Sequence, residues 1–130
     1  SSILREPLNG QTAICPVDGD FLHYYLSPRK CADNLVKAAE LDGAAIGENR
    51  AMQMPGKVWS IDQVIAAMTA VAGPAPAKLI RWEAQPEVQA IVSGWRWDIH
   101  ADKAESLGLE ADASFEDNIR YYLEDDKPTA

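Results

Sequence analysis

Phe21-Leu22-His23-Tyr24-Tyr25-Leu26-Ser27-Pro28-Arg29-Lys30 is the stretch on which the fold turns. Its first six residues are aromatic, aliphatic or histidine, a composition that suits a pleated strand. Ser27-Pro28 then ends the strand and opens a helix. The serine hydroxyl can accept an orphan backbone N–H, and proline's fixed φ fits the first helical position, where a missing N–H costs nothing. Beyond it Cys31, Ala32, Leu35, Val36 and Ala39 recur at helical spacing. One apolar stripe is therefore expected to face a core, with the helix ending near Asp42-Gly43.

Working outward, Ser1 to Leu8 reads as a helix end or an extended lead-in stopped by Asn9-Gly10. Thr12 to Val17 predicts a strand, joined to the one above by a two-carboxylate hairpin turn at Asp18-Gly19-Asp20. Downstream, Arg50 to Met54 predicts a strand ended by Pro55-Gly56. Ser60 and Gln63 form a capping box ahead of Ile61, Val64, Ile65, Met68 and Ala72, an amphipathic helix that Gly73-Pro74 stops. Lys78 to Trp82 predicts a short strand, Pro86 to Val92 a helix, Trp95 to Ile99 an extended segment, and Ala101 to Leu107 a brief helix before Gly108. Ser114 with Asp117 opens a last helix on which Phe115, Ile119, Tyr122 and Leu123 share a face. The acidic segment 124–130 is expected to be a solvated, frayed end. About five helices and four or five short strands define an α/β domain of α+β character, with residues 1–130 forming one unit.

Composition narrows the function classes. The 130 residues are 47% hydrophobic and 25% charged, which is globular usage. The formal charge of −8 leaves no basic footprint for nucleic acid and argues against docking on anionic lipid. No apolar run approaches the roughly 20 residues that span a bilayer. Two cysteines, Cys15 and Cys31, make no disulfide framework and no CxxC, and the simplest reading is a reduced, cytoplasmic protein.

The chemistry-bearing residues are few. No Gly-x-Gly is present; Gly43-Ala44-Ala45-Ile46-Gly47 lacks the spacing that cradles a pyrophosphate. No tyrosine is followed four residues later by a lysine that could lower its pKa. His23 and His100 show no metal-ligand spacing, and Asp18-Gly19-Asp20 reads as a turn before it reads as half a metal site. Cys31 reads as a small hydrophobe on the apolar stripe. No catalytic, cofactor-binding or metal-binding residue is assigned. Trp95-Arg96-Trp97 is the most suggestive run: in an extended segment the indoles point one way and the guanidinium the other, free to meet an anion bidentately or a surface acid. Arg5 and Arg81 carry the same ambiguity.

Three stretches, in order, resemble the C-terminal part of an extended short-chain dehydrogenase/reductase of the NAD-dependent epimerase/dehydratase family. Phe21 to Lys30 followed by Ala32-Asp33-Asn34-Leu35 is similar to the family's Arg-Asp-Phe-Val-His-Val-x-Asp strand and capped helix. Met52-Gln53-Met54-Pro55-Gly56 with Val58-Trp59-Ser60-Ile61 is similar to its strand, Gly turn and Ser-capped helix. Asp98, Ala101-Asp102-Lys103-Ala104, Leu107-Gly108 and Ser114-Phe115-Glu116-Asp117 match its closing segment. Residues 2–10 and Tyr25-Leu26-Ser27-Pro28-Arg29 look nearest to the sugar-acid dehydrogenase branch.

The resemblance implies a substrate-binding domain of an NAD-dependent sugar or sugar-acid oxidoreductase. NAD and the catalytic Ser/Thr, Tyr and Lys would belong to a Rossmann half upstream of Ser1, an expectation that suits a chain opening without methionine. Substrate contacts would fall to Arg5, Arg29, Trp95 and Arg96. Gly19-Asp20 stands where sugar-nucleotide epimerases usually carry Arg-Asp, and no Arg-x-Gly-Asp occurs near Ser93-Gly94-Trp95, which favours a small hydroxy acid over a nucleoside diphosphate. A sugar-nucleotide epimerase or dehydratase, and a free-standing binding module, are the rival readings. On the leading one this polypeptide alone is inactive and exposes apolar surface where a Rossmann half packs, a face through which homo-oligomers could also form.

Overall fold

A computed structural model describes residues 2–127. Its frame is a helix core braced by two small sheets. Helix α1 (Ser2–Leu8) ends at Asn9-Gly10, where Gly10 takes φ +75° and lets the chain turn into strand β1 (Ala13–Cys15). Strand β2 (Leu22–Tyr25) follows, then α2 (Pro28–Glu40) and the short α3 (Gly43–Ile46). Strand β3 (Lys57–Ser60) runs directly into α4 (Ile61–Ala72). A 3₁₀ turn (Pro76–Leu79) leads to β4 (Ile80–Trp82), and α5 (Pro86–Val92), α6 (Asp102–Ser106) and α7 (Phe115–Tyr121) complete the set, with a π turn over Tyr122–Asp126. The mixed α/β class expected from the sequence is the one observed.

Capping chemistry sets the helix starts. Ser27 Oγ accepts from Lys30 N, Ser114 Oγ accepts from Asp117 N, and Ser60 and Gln63 exchange both bonds of a capping box. Each such cap stabilises a helix by about 1 kcal/mol. Helix α4 then buries Ile61, Val64 and Met68 against Phe115 and Ile119 of α7, with Ile3 and Leu8 of α1, Cys15 of β1 and Ile80 of β4 closing the core.

Four expectations are corrected. The strands around Asp18-Gly19-Asp20 do not form a hairpin: β1 pairs with β4 in parallel, and β2 pairs with β3 antiparallel. The turn docks instead on the start of α4, where Gly19 O accepts from Asp62 N at 2.8 Å and Phe21 O accepts from Ile61 N at 3.1 Å. A Cβ on Gly19 would sit 2.2 Å from the Asp62 carboxylate, so any larger residue there would push that exposed side chain aside. Second, Arg50 to Met54 is not a strand: side chains take up backbone groups there, with Ala51 N donating to Asn49 Oδ1 and Tyr24 Oη, from β2, donating to Met54 O. The strand lies past Pro55-Gly56. There Gly56 lets the chain pass Tyr25 O, which a Cβ would meet at 2.5 Å.

Third, the apolar stripe of α2 does not face the core. Leu35 and Val36 are 59% and 62% exposed, and the buried residue of the helix is Asn34. Asn34 Nδ2 donates to Glu110 O at 2.8 Å and its Oδ1 accepts from Glu110 N at 3.0 Å. Lys30 pairs with the Glu110 carboxylate and Lys37 donates to Gly108 O. Just before the helix, the buried Asp112 carboxylate accepts from Ser27 N and Ser27 Oγ at 2.7 and 2.6 Å. Polar groups hold α2 in place. Fourth, Glu124 and Asp125 are exposed to solvent as expected but are not frayed, since they lie in the π turn and both pair with Arg29; residues 128–130 of the expected frayed tail lie outside the described residues. Trp95 to Ile99 runs without a strand partner.

Candidate functional site

An open groove of about 840 Å³ runs between α1, the turn after β1, β2 and α7. That volume falls in the range of small-molecule pockets, roughly 300–1,000 Å³. Its floor is apolar, with Leu8, Val17, Phe21, Val64 and Ile119 supplied by the core described above, and Val92 and Trp95 forming one wall. The groove exists because α1, β2 and α7 converge on α4 without filling the space between them.

Aromatic rings order one side. His23 on β2 meets Tyr25 edge-on at 5.0 Å and lies against Trp95 at 5.5 Å, while Tyr25 in turn meets Phe115 edge-on at 5.1 Å. Both β2 rings reach the groove because residues two apart share a strand face. Partial burial holds His23 below its ordinary pKa, which favours the neutral imidazole, and burial pushes the Tyr25 phenol up to about 12, so it stays protonated at neutral pH. Arg5 of α1, also a lining residue, has a side chain 61% exposed and pairs with Glu6 at 3.3 Å. Asn9 Nδ2 donates to Tyr122 Oη at 2.7 Å, tying the end of α1 to the π turn.

The four residues expected to touch substrate are therefore divided. Arg5 and Trp95 line the groove. Arg29, next to the lining residue Pro28, is not itself a lining residue and is engaged: Nε and Nη2 form a bidentate pair with Asp125 at 2.7 and 2.6 Å, Nη2 also meets Glu124 at 2.7 Å, and the guanidinium lies 4.1 Å over the Tyr121 ring. Arg96 pairs bidentately with Asp98 at 3.0 and 2.8 Å and does not line the groove. Arg81 is exposed on β4 and also outside it. Sequence reasoning missed His23, Tyr25 and Asn118 as lining residues. Period-two alternation from Phe21 could have flagged the first two; Asn118 carried no signal.

Among the described residues no group of three or more His, Cys, Asp or Glu could hold a metal ion. Nor do the residues present fit a dinucleotide. The Gly43 to Gly47 segment starts a single-turn helix capped by the Asp42 carboxylate, which accepts from Ala44 N at 3.0 Å and would repel a phosphate. The groove can bind: it offers the largely exposed Arg5 guanidinium, aromatic faces for C–H surfaces, and an apolar floor.

The likeness to extended short-chain dehydrogenases/reductases of the epimerase/dehydratase type, read from the sequence, is borne out by comparison with known proteins. A solved nucleoside-diphosphate-sugar epimerase from Agrobacterium tumefaciens superposes with a TM-score of 0.92 at 36% identity, over 97% of this chain and 37% of that one. Two curated proteins named D-erythronate dehydrogenase match as well. The one from Cupriavidus necator is 40% identical over 125 residues and the one from Haemophilus influenzae 30% identical over 126. The chain spans about two fifths of the length of these relatives, 39% and 40%. A solved L-threonine dehydrogenase from Cupriavidus necator, at 20% identity and a TM-score of 0.75, shares the fold. No protein-family model matches the chain.

Proposed function

We propose that this chain is the substrate-binding part of an NAD-dependent sugar or sugar-acid oxidoreductase, shaping one side of a cleft whose coenzyme and proton-transfer groups are carried by another part of a longer chain. The observation that carries the reading is the match to D-erythronate dehydrogenases across 96% and 97% of these residues. Arg5 would hold the substrate carboxylate by a charge-assisted bond, and Trp95, backed by His23, would cover its C–H face. Four-carbon sugar acids are the substrate class this favours. The unpaired state of Cys15 and Cys31 supports a reducing, cytoplasmic setting.

The test is NADH formation by the full-length enzyme containing these residues. With a four-carbon sugar acid as substrate, Arg5→Ala is expected to raise KM about 10- to 100-fold, the loss of one hydrogen bond to a charged group. The 130 residues alone are expected to form no NADH; turnover by them alone overturns the reading. A second reading, sugar-nucleotide epimerisation, is favoured by the Agrobacterium epimerase likeness. It wins if the enzyme interconverts sugar nucleotides with no net NADH. An unchanged KM in Arg5→Ala removes Arg5 from the site.

A further inference from the structure

Strand β2 sends its side chains alternately to two sides, and the sides differ in how their polar atoms are satisfied. On one side Tyr24 Oη donates to Met54 O at 2.9 Å. On the other, Phe21, His23 and Tyr25 line the groove. His23 is half-buried, yet among the described residues neither of its ring nitrogens has a hydrogen-bond partner. Both nitrogens reach solvent, because Glu6 Oε2 is the one side-chain oxygen or nitrogen among those residues that is buried without a partner. The residue is nevertheless held in place. Its backbone pairs with Trp59 across the β2–β3 ladder, and its ring meets Tyr25 edge-on at 5.0 Å and Trp95 at 5.5 Å.

Packing of this kind does not call for nitrogen. A phenyl ring offers the same edges and faces without giving up hydration, whereas a polar group taken partly out of water with no partner in the protein is a cost. In the free chain solvent supplies the partner. A ligand that fills the groove displaces that water, and loses affinity unless it replaces the hydrogen bonds. His23 therefore sets a chemical condition on what the groove accepts.

The condition is a narrow one. Burial favours the neutral imidazole, which presents one N–H donor and one lone-pair acceptor. A carboxylate only accepts and can use one nitrogen alone. A hydroxyl donates and accepts, so it can use whichever nitrogen faces it. Other polar lining groups are already drawn on: Tyr122 Oη accepts from Asn9 Nδ2 at 2.7 Å, and Asn118 Nδ2 donates to Ser114 O at 3.4 Å. Tyr25 packs its ring against Trp59 and Phe115. Arg5 has donors only, which suits a carboxylate.

We infer that His23 is the residue through which the groove reads a hydroxyl group of its ligand, one imidazole nitrogen bonding to the OH while Arg5 takes the carboxylate. This rests on the functional reading above and narrows its substrate class. The hydroxyl that is oxidised belongs to the proton-transfer groups carried elsewhere, so the one read by His23 is a second hydroxyl. A plain monohydroxy acid does not meet the condition.

The test removes the nitrogens and the hydroxyls in turn, in the full-length enzyme containing these residues. His23→Phe keeps a ring against Tyr25 and Trp95 and deletes both nitrogens; His23→Leu serves if that variant does not fold. A four-carbon sugar acid is followed by kcat/KM. Its amide, and its analogues each lacking one hydroxyl, are followed by their inhibition constants. Loss of one hydrogen bond between uncharged groups is expected to weaken the acid about three- to tenfold. The other ligands should weaken alike, except for one analogue that lacks a hydroxyl other than the oxidised one, whose inhibition should not change. A packing role alone does not produce that exception. Equal weakening of every ligand, or no change in any, overturns the inference. So does an unchanged amide, or an unchanged analogue lacking the oxidised hydroxyl, since His23 would then serve another group. Each of these results leaves the functional reading standing, provided that the unmodified enzyme forms NADH from the acid. No NADH from any sugar acid sinks that reading and the role of His23 with it.

Discussion

Helices α4 and α2 carry apolar residues at the same spacing and use them in opposite ways. In α4, Val64 and Met68 are completely buried, and the stripe joins α1, α7 and both flanking strands in one core. In α2 the equivalent stripe meets solvent, and the buried side is a run of hydrogen bonds to 108–112. The difference shows that a hydrophobic period specifies the helix but not the direction it faces. Direction is decided by whichever side offers partners, and for α2 those partners are polar.

The comparison is broken most severely from the α4 side. Met68→Ala removes a fully buried side chain at the centre of the core and leaves a cavity there, so it is expected to cost about 2–5 kcal/mol in urea denaturation. Asp112→Ala comes next. It leaves Ser27 N and Oγ without their acceptor in a buried site, a loss of about 1–3 kcal/mol. It should also raise amide exchange at the start of α2 more than in α4, because only α2 hangs on that carboxylate.

A pH test sharpens the polar side further. The Arg29 guanidinium holds the Asp125 carboxyl below its ordinary value, chiefly through the hydrogen bonds between them. A depressed carboxyl pKa contributes stability that is present above the unfolded-state value near 4, and that is lost as pH falls through the folded value. The melting temperature of the unmodified protein should therefore drop between pH 5 and acid more steeply than that of Arg29→Ala, with the two curves converging at low pH. Parallel curves would mean that the clamp on Arg29 is not formed in solution.

These cases also show what could be read beforehand. Helix starts at Ser27, Ser60 and Ser114, and the core positions of α4 and α7, follow from local capping and from periodicity against a neighbour that is present. The facing of α2 does not, because the bond from Asn34 to Glu110 joins residues far apart in the chain, and an asparagine in mid-helix carries no sign of what it will meet. The same limit divided the candidate site. Arg5 and Trp95 do line the groove, Arg5 keeping a largely exposed side chain beside Glu6, whereas Arg29 is claimed by the acids at 124 and 125 and Arg96 by Asp98. An arginine's availability depends on its competitors, and for Arg29 these lie at the other end of the chain.

The smallest effect is the most discriminating. Leu35→Ser and Val36→Ser are ordinarily disruptive on an apolar helix stripe, and the corresponding change in α4 would be. On α2 both side chains already lie more than half in water, so little burial is lost, and each substitution is expected to move the stability of the 130 residues by no more than about 0.5 kcal/mol. If either costs as much as Asp112→Ala, the helix is turned the other way in solution, and the polar anchors from Asn34, Lys30 and Lys37 are not what fixes it. Near-neutrality here, set against the large loss at Met68, would show that the stripe contributes little to folding of these residues by themselves.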